Sequence, residues 1–212
     1  MTSRPVVVVL AAGSGSRFAG PSHKLGQSLG GSSVLGQTLR HALASHLPVI
    51  VVTTEALAGE AQLSVASRDI VTLPSVGSAS EVPLGMGYSI AAGVSARPNA
   101  SGWLVLPGDM PMVRPSSLLA VAQALEQHPI AFAQHQGRRG HPVGFSAELY
   151  SELSVLSGDG GARRLLARYP AHALELDDPG VLVDIDTEAD LRLVRAAQGD
   201  GAAPEQHHAA SG

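Results

Sequence analysis

Cysteine is absent from the 212-residue chain. That excludes disulfides, thiolate metal sites, iron–sulfur clusters and a cysteine nucleophile. Long apolar runs are also missing: none approaches the roughly 20 residues of a membrane-spanning helix. Met1–Pro5 leads straight into Val6–Leu10 without the length or small-residue cleavage pattern of a secretory signal. A cytoplasmic protein with no membrane partner is therefore expected. Acidic residues do not occur in positions 1–54, and Lys24 is the only lysine of the chain. Arg4, Arg17, Lys24 and Arg40 give this stretch a charge of +4, against −8 for the remainder and −4 for the whole. The negative total argues against a general nucleic-acid binder. A basic first quarter beside an acidic remainder suits a small polyanion held with a divalent metal.

Apolar material is plentiful: hydrophobic residues make up 44% and mean hydropathy is +0.15. That is enough for a core, and the expected layout is one domain over 1–197 with a disordered tail over 198–212. The tail has no apolar periodicity. Val6–Leu10, Pro48–Thr54, Asp69–Leu73, Trp103–Leu106, Ile130–Ala133, Pro142–Phe145, Ala173–Leu176 and Val181–Ile185 read as extended. Val34–His46, Ala56–Ser67, Tyr88–Ala96, Pro115–His128, Ala147–Leu156, Ala162–Tyr169 and Glu188–Ala197 read as helices. Ser32 or Ser33 is the expected cap of the first helix, and Thr187 of the last, with Asp190 completing a near capping box. Pro74–Met86 and Gln134–Gly140 read as loops. Such alternation predicts an α/β domain with a mostly parallel central sheet flanked by helices.

The loop after the first strand, Leu10-Ala11-Ala12-Gly13-Ser14-Gly15-Ser16-Arg17-Phe18, sits where open parallel sheets bind ligands. Gly13 and Gly15 allow close backbone approach to an anion. The loop is not a P-loop, whose lysine would have to follow the last glycine directly. It is not a dinucleotide fingerprint either: Phe18 replaces the third glycine and no acid follows before Glu55. A nucleotidyltransferase loop remains, in which glycines, an arginine and a later lysine hold a triphosphate. Arg17 and Lys24 supply those two cations.

At this point the sequence resembles the MobA/MocA-like nucleotidyltransferases. The resemblance is carried by Leu10–Phe18 with Lys24-Leu25, Gly85–Ser89, Leu106-Pro107-Gly108-Asp109-Met110-Pro111, Gly137–Val143, Gly158–Arg163 and Asp184–Leu191. These segments occur in family order and span residues 6 to about 195. The last three resemble the molybdenum cofactor cytidylyltransferase branch, as does Ala12, where guanylyltransferases of the family carry glycine. The resemblance implies a Rossmann-like nucleotidyltransferase fold. It also implies transfer of CMP from CTP to the terminal phosphate of the molybdenum cofactor, with Mg²⁺ as cofactor, pyrophosphate as leaving product and a molybdoenzyme as client.

Arg17, Lys24 and Asp109 are the implied catalytic residues. Leu10, Ala11, Ala12, Gly13, Ser14, Gly15, Gly85, Ser89, Pro107 and Gly108 join Arg17 and Lys24 as the implied nucleotide site. Arg139, His141 and Arg163 are the implied acceptor site, and Arg138 offers a further cation. Asp109 and Asp186 are the implied metal ligands, with Asp184 the alternative to Asp186, since period-two alternation puts both on one face. Plainer readings stand beside these. Asp109 can be a turn residue after Gly108, Asp186 a helix cap, Ser89 an N-cap, His141 a turn histidine, and the arginines solvated. The competing functions are a GTP-using enzyme, a sugar- or polyol-phosphate nucleotidyltransferase, and a cofactor-binding chaperone without turnover.

Overall fold

The computed structural model describes residues 3–13, 23–74 and 85–199. Strand β1 (Val6–Ala11) is followed by the two-residue strands β2 (Ser28–Leu29) and β3 (Ser32–Ser33), which form a small hairpin. Helix α1 (Val34–Ala44), β4 (Val49–Thr54), α2 (Glu55–Gln62), β5 (Ile70–Leu73), α3 (Gly85–Ser95), β6 (Gly102–Pro107) and α4 (Pro115–Ala124) come next. The chain continues through β7 (Ile130–His135), β8 (Arg138–Ser146), α5 (Tyr150–Leu153), α6 (Arg163–Arg168), β9 (Ala171–Glu175) and α7 (Glu188–Ala197). The main sheet has seven strands in the order β5-β4-β1-β6-β8-β7-β9. Every pairing is parallel except those of β8, which runs against both β6 and β7.

Period-two alternation along β1 explains the layers. Val7 and Val9 point to one face and meet Leu35 and Leu39 of α1, Leu118 and Val121 of α4, and Leu191 of α7 within one apolar cluster. Val6 and Val8 point to the other face, in the cluster of Ile90 and Val94 of α3, Leu153 of α5 and Leu165 of α6. A strand covered on both faces must be apolar throughout, and the run of valines satisfies this. The order of strands reverses at β1: β4 lies on one side and β6 on the other. That reversal opens a crevice at the carboxyl ends of the strands.

Both expected caps form. Ser33 accepts from Gly36 N–H at 2.9 Å at the start of α1. Thr187 and Asp190 make a complete capping box on α7.

Several boundaries differ from expectation. Helix α3 begins at Gly85, three residues early, because the Gly87 amide donates to Gly158 O at 2.9 Å and the adjoining loop supports the first turn. The stretch Gln134–Gly140 is a β7–β8 hairpin tip, not a loop, with Gln136 and Gly137 both left-handed (φ 50 and 73). Val181–Ile185 forms no strand: a 3-10 turn covers Pro179–Leu182, held by Asp178, whose Oδ1 accepts from Gly180 N–H, and the backbone becomes extended only at Val183. The helices expected over Ala56–Ser67, Pro115–His128 and Ala147–Leu156 are shorter; they end in turns whose amides bond to nearby carbonyls. Gln198 and Gly199, expected to open the tail, close α7 by bonding to Val194 and Ala196 carbonyls. The rest of that tail and the middle of the Pro74–Met86 loop lie outside the described residues. Among the described residues no helix is long and apolar enough to cross a membrane.

Helix α3 packs closely on the sheet through Gly93. A Cβ there would lie 2.3 Å from Val8 Cγ1 and 2.9 Å from Val52 Cγ2. Gly93→Leu is expected to destabilise the protein by about 3 kcal/mol, read as a lower urea midpoint. An unchanged midpoint would mean that this helix–sheet contact is looser than described.

Candidate active site

A cleft of about 830 Å³ opens at the carboxyl ends of β1, β5 and β6 and the start of antiparallel β8. The support beneath it is built from backbone first. Gly108 N–H donates to Leu10 O at 2.8 Å, clamping the ends of β1 and β6 together. A Cβ on Gly108 would sit 3.0 Å from that same carbonyl, so glycine suits the close approach. Thr38 of α1 donates its hydroxyl to Gly108 O at 2.9 Å from behind. The next carbonyl, Asp109 O, accepts from Ile185 N–H at 2.9 Å. Buried Ile185 thus anchors the segment that carries Asp184 and Asp186 to the segment that carries Asp109.

The central feature is an ion triplet. Lys24 Nζ donates to Asp109 Oδ2 at 2.6 Å and to Asp186 Oδ1 at 2.9 Å. All three side chains are largely shielded from solvent. Burial works against the Lys24 charge, but hydrogen bonds and charges from Asp109 and then Asp186 outweigh it and raise the lysine above its ordinary value of 10.5. Asp109 Oδ1 is buried and has no hydrogen-bond partner among the described residues. An orphaned carboxylate oxygen is costly unless something binds it. Asp186 is held from behind, since its N–H donates to Asp190 Oδ2 at 3.2 Å.

His23, which the sequence left without a role, links Lys24 to the glycine loop. Its Nδ1 accepts from Leu25 N–H at 3.2 Å, so Nε2 carries the proton and donates to Gly13 O at 2.9 Å. The opposite side of the cleft is made by the hairpin residues Arg138, Arg139, Gly140 and His141. Between Phe132 and Gln134 of β7 the register slips, so that β8 bulges over Gly140–Pro142. Bulges re-aim side chains, and this one presents His141 to the cleft. Gly140 has no room for a side chain: its Cβ would lie 2.1 Å from Val181 O. Burial, helped by the Arg139 charge and opposed by Asp184, lowers the His141 pKa to about 4, leaving it neutral at pH 7.

The cleft therefore gathers Leu10, Ala12, Gly13, Lys24, Gly85, Ser89, Pro107, Asp109, Arg139, His141 and Asp186 from the expected set. It also adds Met86 and Asp159, which lie in quoted motif segments but were not expected as site residues, and the pair Leu73-Pro74. Asp186, rather than Asp184, shares the lysine with Asp109, while Asp184 lines the cleft and acts electrostatically on His141. Ala11 and Gly108 do not line it: Ala11 faces the core, and Gly108 is buried at the strand junction. Arg163 is exposed on α6 and is not part of the wall. Ser89 is not an N-cap, because α3 begins four residues earlier. Ser14, Gly15 and Arg17 lie outside the described residues.

No group of three or more His, Cys, Asp or Glu side chains forms a metal cage among the described residues. Two carboxylates and an unpartnered oxygen instead fit a hard divalent ion that keeps waters and takes its remaining ligands from phosphate.

The profile of the family described as MobA-like NTP transferase domain matches residues 7–174. The purine catabolism protein PucB of Bacillus subtilis is 30% identical over 205 residues, covering 90% of this chain and 95% of PucB. Among solved structures, Rv0371c of Mycobacterium tuberculosis H37Rv superposes with a TM-score of 0.75 at 27% identity, over 91% of this chain and 98% of that one. Rv0371c has also been solved in complex with manganese. A nucleotidyl transferase from Methanothermobacter (Mth528) superposes with a TM-score of 0.74 at 26% identity, over 95% of this chain and all of its own.

The His141 environment has a measurable consequence. Nitrogen-detected NMR should place its titration near pH 4; a midpoint near 6.5 would contradict the buried setting. Between these values the unfolded chain binds the extra proton, so this group's contribution to stability falls as pH drops from about 6.5 towards 4.

Proposed function

The chain belongs to the MobA-like NTP transferase family and is a nucleotidyltransferase, and from that premise we propose that it transfers CMP from CTP to the terminal phosphate of the molybdenum cofactor. The observation that carries this reading is the meeting of two charged sites in one cleft. Lys24 lies at the carboxylate pair, and Arg138 and Arg139 lie on the facing hairpin. The arginines suit one anion, a phosphate monoester, and the carboxylate pair, net negative even with Lys24, suits a nucleoside triphosphate that arrives with a divalent ion. Ala12 in the cleft wall and the Gly137–Val143 segment support the cytidylyl, molybdenum cofactor assignment.

The nucleophile is a phosphate oxygen that is already anionic. No strong base is required, and alignment with charge neutralisation carries the reaction. Neutral His141 suits this: it offers a hydrogen bond to the incoming phosphate without taking its role as nucleophile. Arg138 and Arg139 hold the acceptor phosphate by charge-assisted hydrogen bonds. Lys24, with Arg17 from the glycine loop, neutralises the β- and γ-phosphates and the departing pyrophosphate. Asp109 and Asp186 would hold Mg²⁺, which supplies electrostatic neutralisation of phosphate oxygens when bound. The manganese complex of Rv0371c supports the use of a divalent ion in this family.

A competition tests the substrate pair. Protein, Mg²⁺, molybdenum cofactor and equal CTP and GTP are mixed, and the dinucleotide product is identified by mass. A cytosine product is expected. A guanine product would reverse the nucleotide assignment and keep the reaction class, and neither product would move the acceptor elsewhere. Asp109→Ala is expected to lower kcat roughly a thousandfold with an unchanged circular dichroism spectrum. Lys24→Met should also lower turnover. Measured by Mn²⁺ electron paramagnetic resonance without nucleotide, however, it should bind Mn²⁺ more tightly than the wild type, because the ammonium competes for the same carboxylates. Weaker Mn²⁺ binding in that variant would remove the carboxylate pair from the metal site.

A further inference from the structure

Glu175, at the end of edge strand β9, grips the tip of the neighbouring hairpin. Its Oε2 accepts from Gln134 Nε2 at 2.9 Å and from Gly137 N–H at 3.2 Å, and its Oε1 accepts from Gln136 N–H. The next residue extends the grip, since Leu176 N–H donates to Gln134 O and His135 Nδ1 donates to Leu176 O, both at 2.8 Å. The turn so held is not one the sequence would form readily. Gln136 has φ 50, a left-handed conformation that costs a residue with a side chain about 1 kcal/mol or more. Two successive amides converging on one carboxylate offset that cost. Immediately beyond the turn come Arg138 and Arg139, paired with His135 and Gln134 of β7. Arg139 is further steadied by its guanidinium lying 4.5 Å over the Phe132 ring.

We propose that Glu175 is a positioning residue for the acceptor subsite: by fixing the Gln136-Gly137 turn it sets where Arg138 and Arg139 stand in the cleft. This rests on the reading that those arginines hold the acceptor phosphate. Glu175 itself is exposed and does not line the cleft, so it acts through the turn and not on substrate. Long side chains lose much rotamer freedom when they bind an anion, and a fixed base removes part of that cost in advance. Without the carboxylate the turn relaxes and the arginines sample positions off the subsite.

The test uses the full chain and inorganic phosphate as probe, followed through the Arg139 Nε–Hε resonance. In the wild type this resonance should shift and saturate. Glu175→Ala should weaken that binding about tenfold, and Glu175→Gln, which keeps one acceptor oxygen, should fall between. CTP binding should stay within about twofold in both variants. In turnover, Glu175→Ala should raise KM for the acceptor and leave kcat and KM for CTP nearly unchanged. Wild-type phosphate affinity in both variants would overturn the proposal and leave the arginine subsite standing. Equal losses for phosphate and CTP would also overturn it, because they mark a general structural role. An Arg139 resonance insensitive to phosphate in the wild type would overturn the subsite and this proposal together. The outcome of the CTP and GTP competition bears on neither.

Discussion

One ammonium group holds three distant parts of the chain in register. Lys24 follows the glycine loop, Asp109 follows β6, and Asp186 precedes α7; their side chains meet at 2.6 and 2.9 Å. Two carboxylates turned toward one point repel each other, and burial makes that repulsion worse. The lysine makes the arrangement tolerable. A flexible stem with a compact charge can satisfy two carboxylates at once, which a rigid guanidinium fork does less readily. The surrounding backbone bonds, from Gly108 to Leu10 and from Ile185 to Asp109, hold the carriers of these charges at fixed separation.

Around that point the fold acts as a frame for two unlike walls. The parallel half of the sheet, β5-β4-β1-β6, delivers the glycine loop, Asp109 and the N-terminal part of α3. The other half contains the one antiparallel strand, and that reversal brings the start of β8 to the same edge as the ends of its neighbours. Arg138, Arg139 and His141 therefore face the cleft because β8 runs backwards. In an all-parallel sheet the corresponding residues would stand at the opposite edge.

Much of this was legible from residue order. The valine run of β1, the Ser33 and Thr187 caps, and Asp109 just beyond a buried strand each depend on local rules that the structure follows. The hairpin was not legible, because Gln136-Gly137 lacks the asparagine or aspartate that usually marks a left-handed turn, and its stabiliser lies on another strand. The turn over Pro179–Leu182 was hidden for the same reason, since Asp178 also bonds Ser117 and the Arg114 amide far away in sequence. For the site, sequence named the charged residues but not their pairing. Lys24 was expected on phosphates, and its hold on Asp109 and Asp186 is a fact of distance that residue types alone do not carry. Arg163 shows the converse, a motif residue that folding leaves outside the cleft wall.

The start of α3 rests backbone to backbone on the turn before α6. A Cβ on Gly85 would lie 2.3 Å from the Gly158 carbonyl carbon, and one on Gly87 would lie 2.7 Å from Ser157 O. Around Gly85 and Gly87 the facing atoms are backbone, with the Met86 side chain beside Gly161, so a change on either side is poorly absorbed. Segments some seventy positions apart are thus a single part in the engineering sense. A chimera that imported the 85–89 stretch from a relative would have to import the matching 157–161 turn as well.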